Sequence, residues 1–193
     1  MATQAEVTSR VIDGIEYPPA GTYALDTAHT RLGFAVRHMA VSKVRGGLNT
    51  FEGTVVIGED PLDSTVEVAI DATSVDTRDE ARDNHLRSND FFDVENHPKW
   101  TFVSTAIRPT GDDQWEVDGE LTIRGVTRPV TLHTVFEGVV RDPYGNVRLG
   151  FTATTSIDRN EFGVAFNAVM EAGGVVVAKK VDIEIEAEAV LQA

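Results

Sequence analysis

The stretch "RDNHLRSNDFFDV" at residues 82–94 crowds Arg82, Asp83, His85, Arg87, Asp90 and Asp93 around Leu86, Phe91 and Phe92. An Asp beside a His suggests an acid–base dyad. Just ahead, Thr77-Arg78-Asp79-Glu80 has the spacing of a capping box and predicts a helix running through about Leu86. On a helix, Asp83 and His85 stand two positions apart and point about 200° away from each other, so they do not form a dyad. The expected contacts are the i,i+4 pairs Asp83–Arg87 and Glu80–Asn84. The stretch then reads as the anchor of a helix, with Arg82 and His85 as candidates to touch the polar end of a ligand.

Other reactive arrangements are missing. His29, His38, His85, His97 and His133 form no HxH, HxxxH or HExxH spacing, so no metal site is expected. There is no GxSxG elbow, Walker loop or GxGxxG, and no Cys to serve as nucleophile, thiolate ligand or disulfide. His38 extends the row Leu32, Phe34, Val36, which makes it a core histidine or a contact at the mouth of a cavity. His133 falls on a polar face, and His97 precedes Pro98 in a turn.

The elements around these residues show a period of two. In 64–72 Val66, Val68, Ile70 and Ala72 share a face. In 114–124 Trp115, Val117, Leu121 and Ile123 do so, and in 181–189 Val181, Ile183 and Ile185. Weaker alternation covers 31–38, 51–57, 99–107, 129–137 and 147–157. One apolar face per strand marks antiparallel sheet. "TGDDQ" (110–114) and "DPYGN" (142–146) are hairpin turns, and "RGVTRP" (124–129) is a bend. Long strands in meandering order favour an up-and-down barrel of about eight strands, which fills itself or holds one small ligand. The helix then lies across one opening. Phe34, Trp100, Phe102, Trp115, Phe136 and Phe151 fall on inward faces together with the small residues Ala72, Ser104, Ala106, Gly119 and Ala153, a mixture compatible with a cavity.

The 193 residues suit one domain, with 1–20 as a loose arm ending in a Pro–Pro–Gly turn and 21–193 as the barrel. The arm has apolar residues for packing in Val11, Ile12, Ile15 and Tyr17. A net charge of −14 argues against nucleic acid and against anionic membranes. No basic and apolar leader and no long apolar run is present, so a cytoplasmic protein without stable membrane insertion is expected.

Five separated blocks resemble one family: "YALDTAHTRLGFAVRHMAVSKVRGGLNTFEGTVVI" (23–57), "SVDTRDEARDNHLRSNDFFDVENHPKWTFVST" (74–105), "GELTIRGVTRPVTL" (119–132), "IDRNEFGV" (157–164) and "VDIEIEAE" (181–188). They are similar to the YceI-like family of polyisoprenoid-binding, lipocalin-like proteins, although His29-Thr30 stands where the family often has His-Ser. The resemblance implies an all-β, eight-stranded antiparallel lipocalin-like barrel with one short helix capping an opening. It also implies a long amphipathic lipid in the interior and allows a homodimer. The expected function is non-enzymatic carriage or sequestration of a polyisoprenoid or isoprenoid quinone, with no other cofactor. The expected lining is Leu32, Phe34, Val36, Phe51, Val55, Trp100, Phe102, Trp115, Leu121, Phe136, Phe151 and Phe162. For the head group, a polyprenyl pyrophosphate would draw on Arg37, Arg45, Arg82 and Arg159, whereas a quinone would need only His38 or His85. The alternatives are a lipid-modifying enzyme that uses the cavity, or a stress-related sequestering protein for other hydrophobic molecules.

Overall fold

Strands with one apolar face leave that face wet unless the sheet packs on something or curls up, and this sheet closes on itself. The computed structural model describes residues 9–168 and 176–192. The strands are β1 (Arg10–Ile12), β2 (Ile15–Tyr17), β3 (Gly21–Leu25), β4 (Arg31–His38), β5 (Ser42–Leu48), β6 (Phe51–Ile57), β7 (Thr65–Asp71), β8 (Val75–Asp76), β9 (Lys99–Pro109), β10 (Gln114–Ile123), β11 (Val126–Arg141), β12 (Val147–Asp158) and β13 (Val177–Leu191). The α-helix α1 spans Glu80–Arg87, between β8 and β9.

Every pairing is antiparallel. β3 and β4 follow one another along β13, with Leu25 opposite Ala189 and Leu32 opposite Ile185. β6 and β5 line the far side of that bent strand, and β7 and β8 come next. These segments act as three bent strands. β9 to β13 complete an eight-stranded barrel, closed where β12 pairs with β13 from Arg148↔Val190 to Asp158↔Lys180.

Turn chemistry sets the register. Arg124 and Gly125 both take positive φ (51° and 72°) in a two-residue turn that pairs Ile123 with Val126. This is the turn that matches strand twist, and it starts β11 three residues before the expected 129. Asp13 and Gly14 repeat the geometry (54° and 83°) and fold residues 10–17 into the β1–β2 hairpin. The loose arm expected for 1–20 is therefore ordered here; residues 1–8 lie outside the described part. Ile15 and Tyr17 pack as expected, whereas Val11 is exposed.

Two local expectations are corrected. Arg78 takes φ 63°, which turns the chain before the helix, so the N-cap is Asp79 rather than Thr77. Asp79 accepts from the N–H of Arg82 (3.0 Å), while Thr77 donates its N–H (2.9 Å) and hydroxyl (2.6 Å) to one oxygen of Asp83. Asp83 thus pairs with Thr77 rather than with Arg87. Arg87 instead donates to the carbonyls of Thr73 and Val75 (2.8 Å each) and to Asn84. The second correction concerns β9. Its register against β10 slips between Asp118 and Gly119, so that Ser104 faces Gly119 but Ala106 faces Asp118. A one-residue bulge exchanges the faces beyond it. Ala106 is therefore exposed, and Ile107 takes its inward place. Gly119 is required because a Cβ there would come within 2.4 Å of the Phe102 ring. The small residue seats an aromatic instead of adding void.

Candidate ligand cavity

Two apolar clusters fill the ends of the barrel. At the helix end Phe91, Trp100, Phe102 and Phe162 pack with Leu86 and Phe92. At the other end Tyr17, Tyr23, Trp115, Phe136 and Leu149 pack together. Between and along them runs a cavity of about 310 Å³ with an almost wholly apolar wall. That is the lower part of the range for small-molecule sites. It suits a slender chain.

The cavity brings together most of the expected lining: Leu32, Phe34, Val36, Val55, Trp100, Phe102, Trp115, Leu121, Phe151 and Phe162. It does not include Phe51, Phe136, His38, Arg82 or His85. Phe51 is buried away from the void. Phe136 stacks at 5.5 Å on Phe151 in the closed-end cluster. Arg82 is spent on Thr77, donating Nε to its hydroxyl (2.7 Å) and Nη2 to its carbonyl (2.9 Å). His85 sits at the surface, 2.8 Å from Asp90, with its ring edge-on to Phe91 and Phe166. The sequence missed Tyr17, whose place in the wall depends on the hairpin, and Ile107, which only the bulge turns inward. It did place Leu86, Phe91 and Phe92 against the interior, and all three line the cavity.

The polar features of the wall are few. Trp100 and Trp115 both keep a buried indole N–H without a hydrogen-bond acceptor. Each meets an aromatic edge-on, Phe92 at 4.7 Å and Tyr17 at 4.9 Å. Arg159 is the charged residue of the wall and is buried. It opens the short turn Arg159–Phe162, which Asp158 caps by accepting from the N–H of Asn160 (2.9 Å). Its guanidinium donates to the carbonyls of Ala178 (2.9 Å), Val164 (2.5 Å), Phe166 (2.9 Å) and Val177 (3.3 Å). Burial pulls its pKa below the usual arginine value, but a guanidinium stays charged at any ordinary pH. Four carbonyl dipoles take the place of a carboxylate partner.

The barrel wall also opens sideways at this end. The β11–β12 ladder stops at His133↔Thr154, and Val126–Leu132 then pair with β10 alone. Pro129, which has no N–H, sits in that unpaired stretch, as prolines do at sheet edges. A groove of about 630 Å³ follows the gap and touches both outward residues (Thr131, Asp182, Glu184) and residues of the cavity wall (Val130, Ile157, Ile183).

At the opposite end Asp26, His29 and Glu188 converge in a way that resembles a cation site. Arg148 already occupies the centre, with Nη1 2.5 Å from Asp26 and 3.2 Å from Glu188, and Nε 2.8 Å from Asp142. The cluster is an ion-pair network, and hydrogen bonds from Arg148 and His29 hold Asp26 down to a pKa of about 2.

Among known proteins, a family model described as the YceI-like domain matches residues 23–189. A UPF0312 protein of Vibrio parahaemolyticus is 38% identical over 148 residues, covering 75% of this chain and 78% of its own. A UPF0312 protein of Staphylococcus aureus strain USA300 is 37% identical over 169 residues, 86% and 95% of the two chains. Among solved structures, Burkholderia cenocepacia BcnA superposes with a TM-score of 0.73 at 25% identity, covering 85% of this chain and 98% of its own. A polyisoprenoid binding domain from Saccharophagus degradans shares the fold at 14% identity with a TM-score of 0.66, covering 90% and 100%.

Proposed function

Because the chain belongs to the YceI-like domain family, we propose that it binds one long, slender amphipathic lipid inside its barrel and carries or sequesters it without turnover. The observation that carries this reading is the apolar cavity running between the two aromatic clusters. Burial supplies the drive. At about 0.8 kcal/mol per methylene, each isoprene unit contributes roughly 3–4 kcal/mol before the ordering of the chain is subtracted. Among the described residues of the wall none offers a nucleophile beside a base, which favours binding over catalysis.

The head group belongs at the helix end, where Arg159 reaches the wall and the side gap opens. Arg37 and Arg45 project from the outside of the barrel, and Arg82 is bound to Thr77, so among the described residues no cluster of cations assembles for a pyrophosphate. With four N–H groups of Arg159 on carbonyls, one Nη2 proton remains. That suits a single neutral oxygen, such as a quinone carbonyl, better than a phosphate. Glu184, Asp182 and Asp158 along the gap oppose an anionic head as well.

Native mass spectrometry of the purified protein, followed by organic extraction, tests the reading. The expected result is a stoichiometric adduct whose extract contains an isoprenoid with a neutral head. A clean apo mass that stays apo when isoprenoid quinones and polyprenyl phosphates are added would overturn it.

A further inference from the structure

The net charge of −14 hides an uneven distribution. Between Asp26 and Glu52 the chain carries Arg31, Arg37, Lys43 and Arg45 and no acidic residue. Because Phe34 and Val36 line the cavity, Arg37 faces outward, and the register puts Lys43 and Arg45 on the same outer face. Lys179 and Lys180 of β13 are exposed alongside. Among the described residues on that face, Asp182 sits between Lys43 (3.1 Å) and Lys180 (3.2 Å), Asp158 stands opposite Lys180 in the β12–β13 ladder, and Glu184 follows two residues further from the tip. Among the described residues Arg37, Arg45 and Lys179 have no ion-pair partner.

These cations flank an apolar hairpin tip. Val41 is 80% exposed and Met39 40%. The two-residue turns at Asp13-Gly14 and Arg124-Gly125 each use a glycine for one of their two left-handed positions, whereas in the three-residue loop 39–41 Met39 and Ala40 take both (φ 48° and 60°). Such strain in non-glycine residues persists where neighbouring structure holds it, and it keeps a thioether and an isopropyl group in solvent. The tip adjoins the mouth of the cavity. Met39 donates its N–H to the Val176 carbonyl (2.8 Å), and Val177 next to it lines the void. Phe166, also 40% exposed, stacks at 5.3 Å on Phe91, another wall residue.

We infer that the β4–β5 hairpin is a docking surface for an anionic lipid bilayer. Arg37, Lys43 and Arg45 meet the head groups, while Met39 and Val41 enter the interface beside the cavity mouth. Juxtamembrane cations act only within a screening length of the surface, so the local patch governs contact and the distant acids do not cancel it. This inference is independent of which lipid the barrel holds.

Flotation of the full chain with phosphatidylglycerol-containing vesicles at low salt tests it, with pure phosphatidylcholine vesicles as reference. Binding is expected to the anionic vesicles and to be lost in high salt. Arg37→Gln and Arg45→Gln should each weaken it roughly five-fold, and Val41→Ser should weaken it without changing thermal stability. Arg141→Gln, an exposed cation at the other end of the barrel, should leave it unchanged. Failure to float, equal flotation with neutral vesicles, or an equal loss in Arg141→Gln would each overturn the proposal. A dimer in solution that Val41→Ser dissociates would also overturn it, because the tip would then be a self-contact. None of these outcomes bears on whether the purified protein contains a lipid.

Discussion

The two ends of the barrel are closed by different physics. At the end covered by the β1–β2 hairpin the seal is apolar: Tyr23, Leu149 and Ala189 have no exposed surface, and Tyr17 packs edge-on against Trp115. At the helix end arginines donate to backbone carbonyls. Arg87 holds Thr73 and Val75, Arg124 holds Gly163 (2.7 Å) and Asn89 (2.8 Å), and Arg159 holds the 164–166 strap against β13. Close packing resists any opening, because separating the surfaces exposes all of the apolar area at once. Hydrogen bonds to carbonyls can be exchanged for water one at a time at modest net cost. The barrel therefore has a closely packed floor and a cover held by separable latches, and the proposed lipid is expected to enter at the latched end.

The sharpest way to break this comparison is to weaken the floor. Leu149→Ala should cost about 2–5 kcal/mol of global stability, measured by urea denaturation, because a fully buried side chain leaves a void that cannot collapse. A cost below about 1 kcal/mol would mean that the floor is not the rigid end. Ala153 lies between the two ends, opposite Thr134 and Ile185, and lines the cavity. Ala153→Trp should cost about 1–3 kcal/mol by overpacking and abolish uptake of a long lipid while the circular dichroism spectrum stays that of a β-barrel. Lipid binding that survives in a folded variant would move the ligand out of the interior.

Asp83→Ala removes the acceptor that receives both donors of Thr77. It should cost about 1–3 kcal/mol. The loss should appear as faster amide hydrogen exchange in residues 80–92, with β12 unaffected. Uniform acceleration across the barrel would show that the lid and the floor are one cooperative unit.

The smallest effect expected is in pH dependence, and it belongs to the floor. Arg148 and His29 hold Asp26 at a pKa of about 2, below its ordinary 3.8. A carboxylate with a lowered folded pKa stabilises the protein above its unfolded value, and that stabilisation is lost as pH falls through the folded one. Melting temperature should therefore fall between about pH 4 and about pH 2, and Asp26→Asn should flatten that part of the curve. The opposite limit involves Tyr23, whose phenol donates to the Pro19 carbonyl (2.9 Å) and whose pKa burial raises above 10.0. Its contribution is present below that value and is lost as pH rises through the higher folded pKa. Tyr23→Phe should remove the alkaline loss.

Alternation was enough to determine the class of fold, the inward face of most strands and the bulk of the cavity lining, because a period of two reports burial of one face directly. It identified Phe34, Trp100, Phe102, Trp115 and Leu121 before any coordinate was needed. Residue types also placed a helix after Thr77 and set Leu86, Phe91 and Phe92 against the interior. What they could not determine were the long-range partners. Asp83 and Arg87 have ideal helical spacing, yet Thr77 and the carbonyls of 73–75 captured them, because a loop brought stronger acceptors and donors close. The reversal of β9 past its bulge, the insertion of Tyr17 into the wall and the halt of the β11–β12 ladder at His133 all depend on how distant strands register. Register, and with it the lid, the gap and the exposed cationic tip, is decided by closure of the barrel, since each strand's position is set by neighbours far away in the chain.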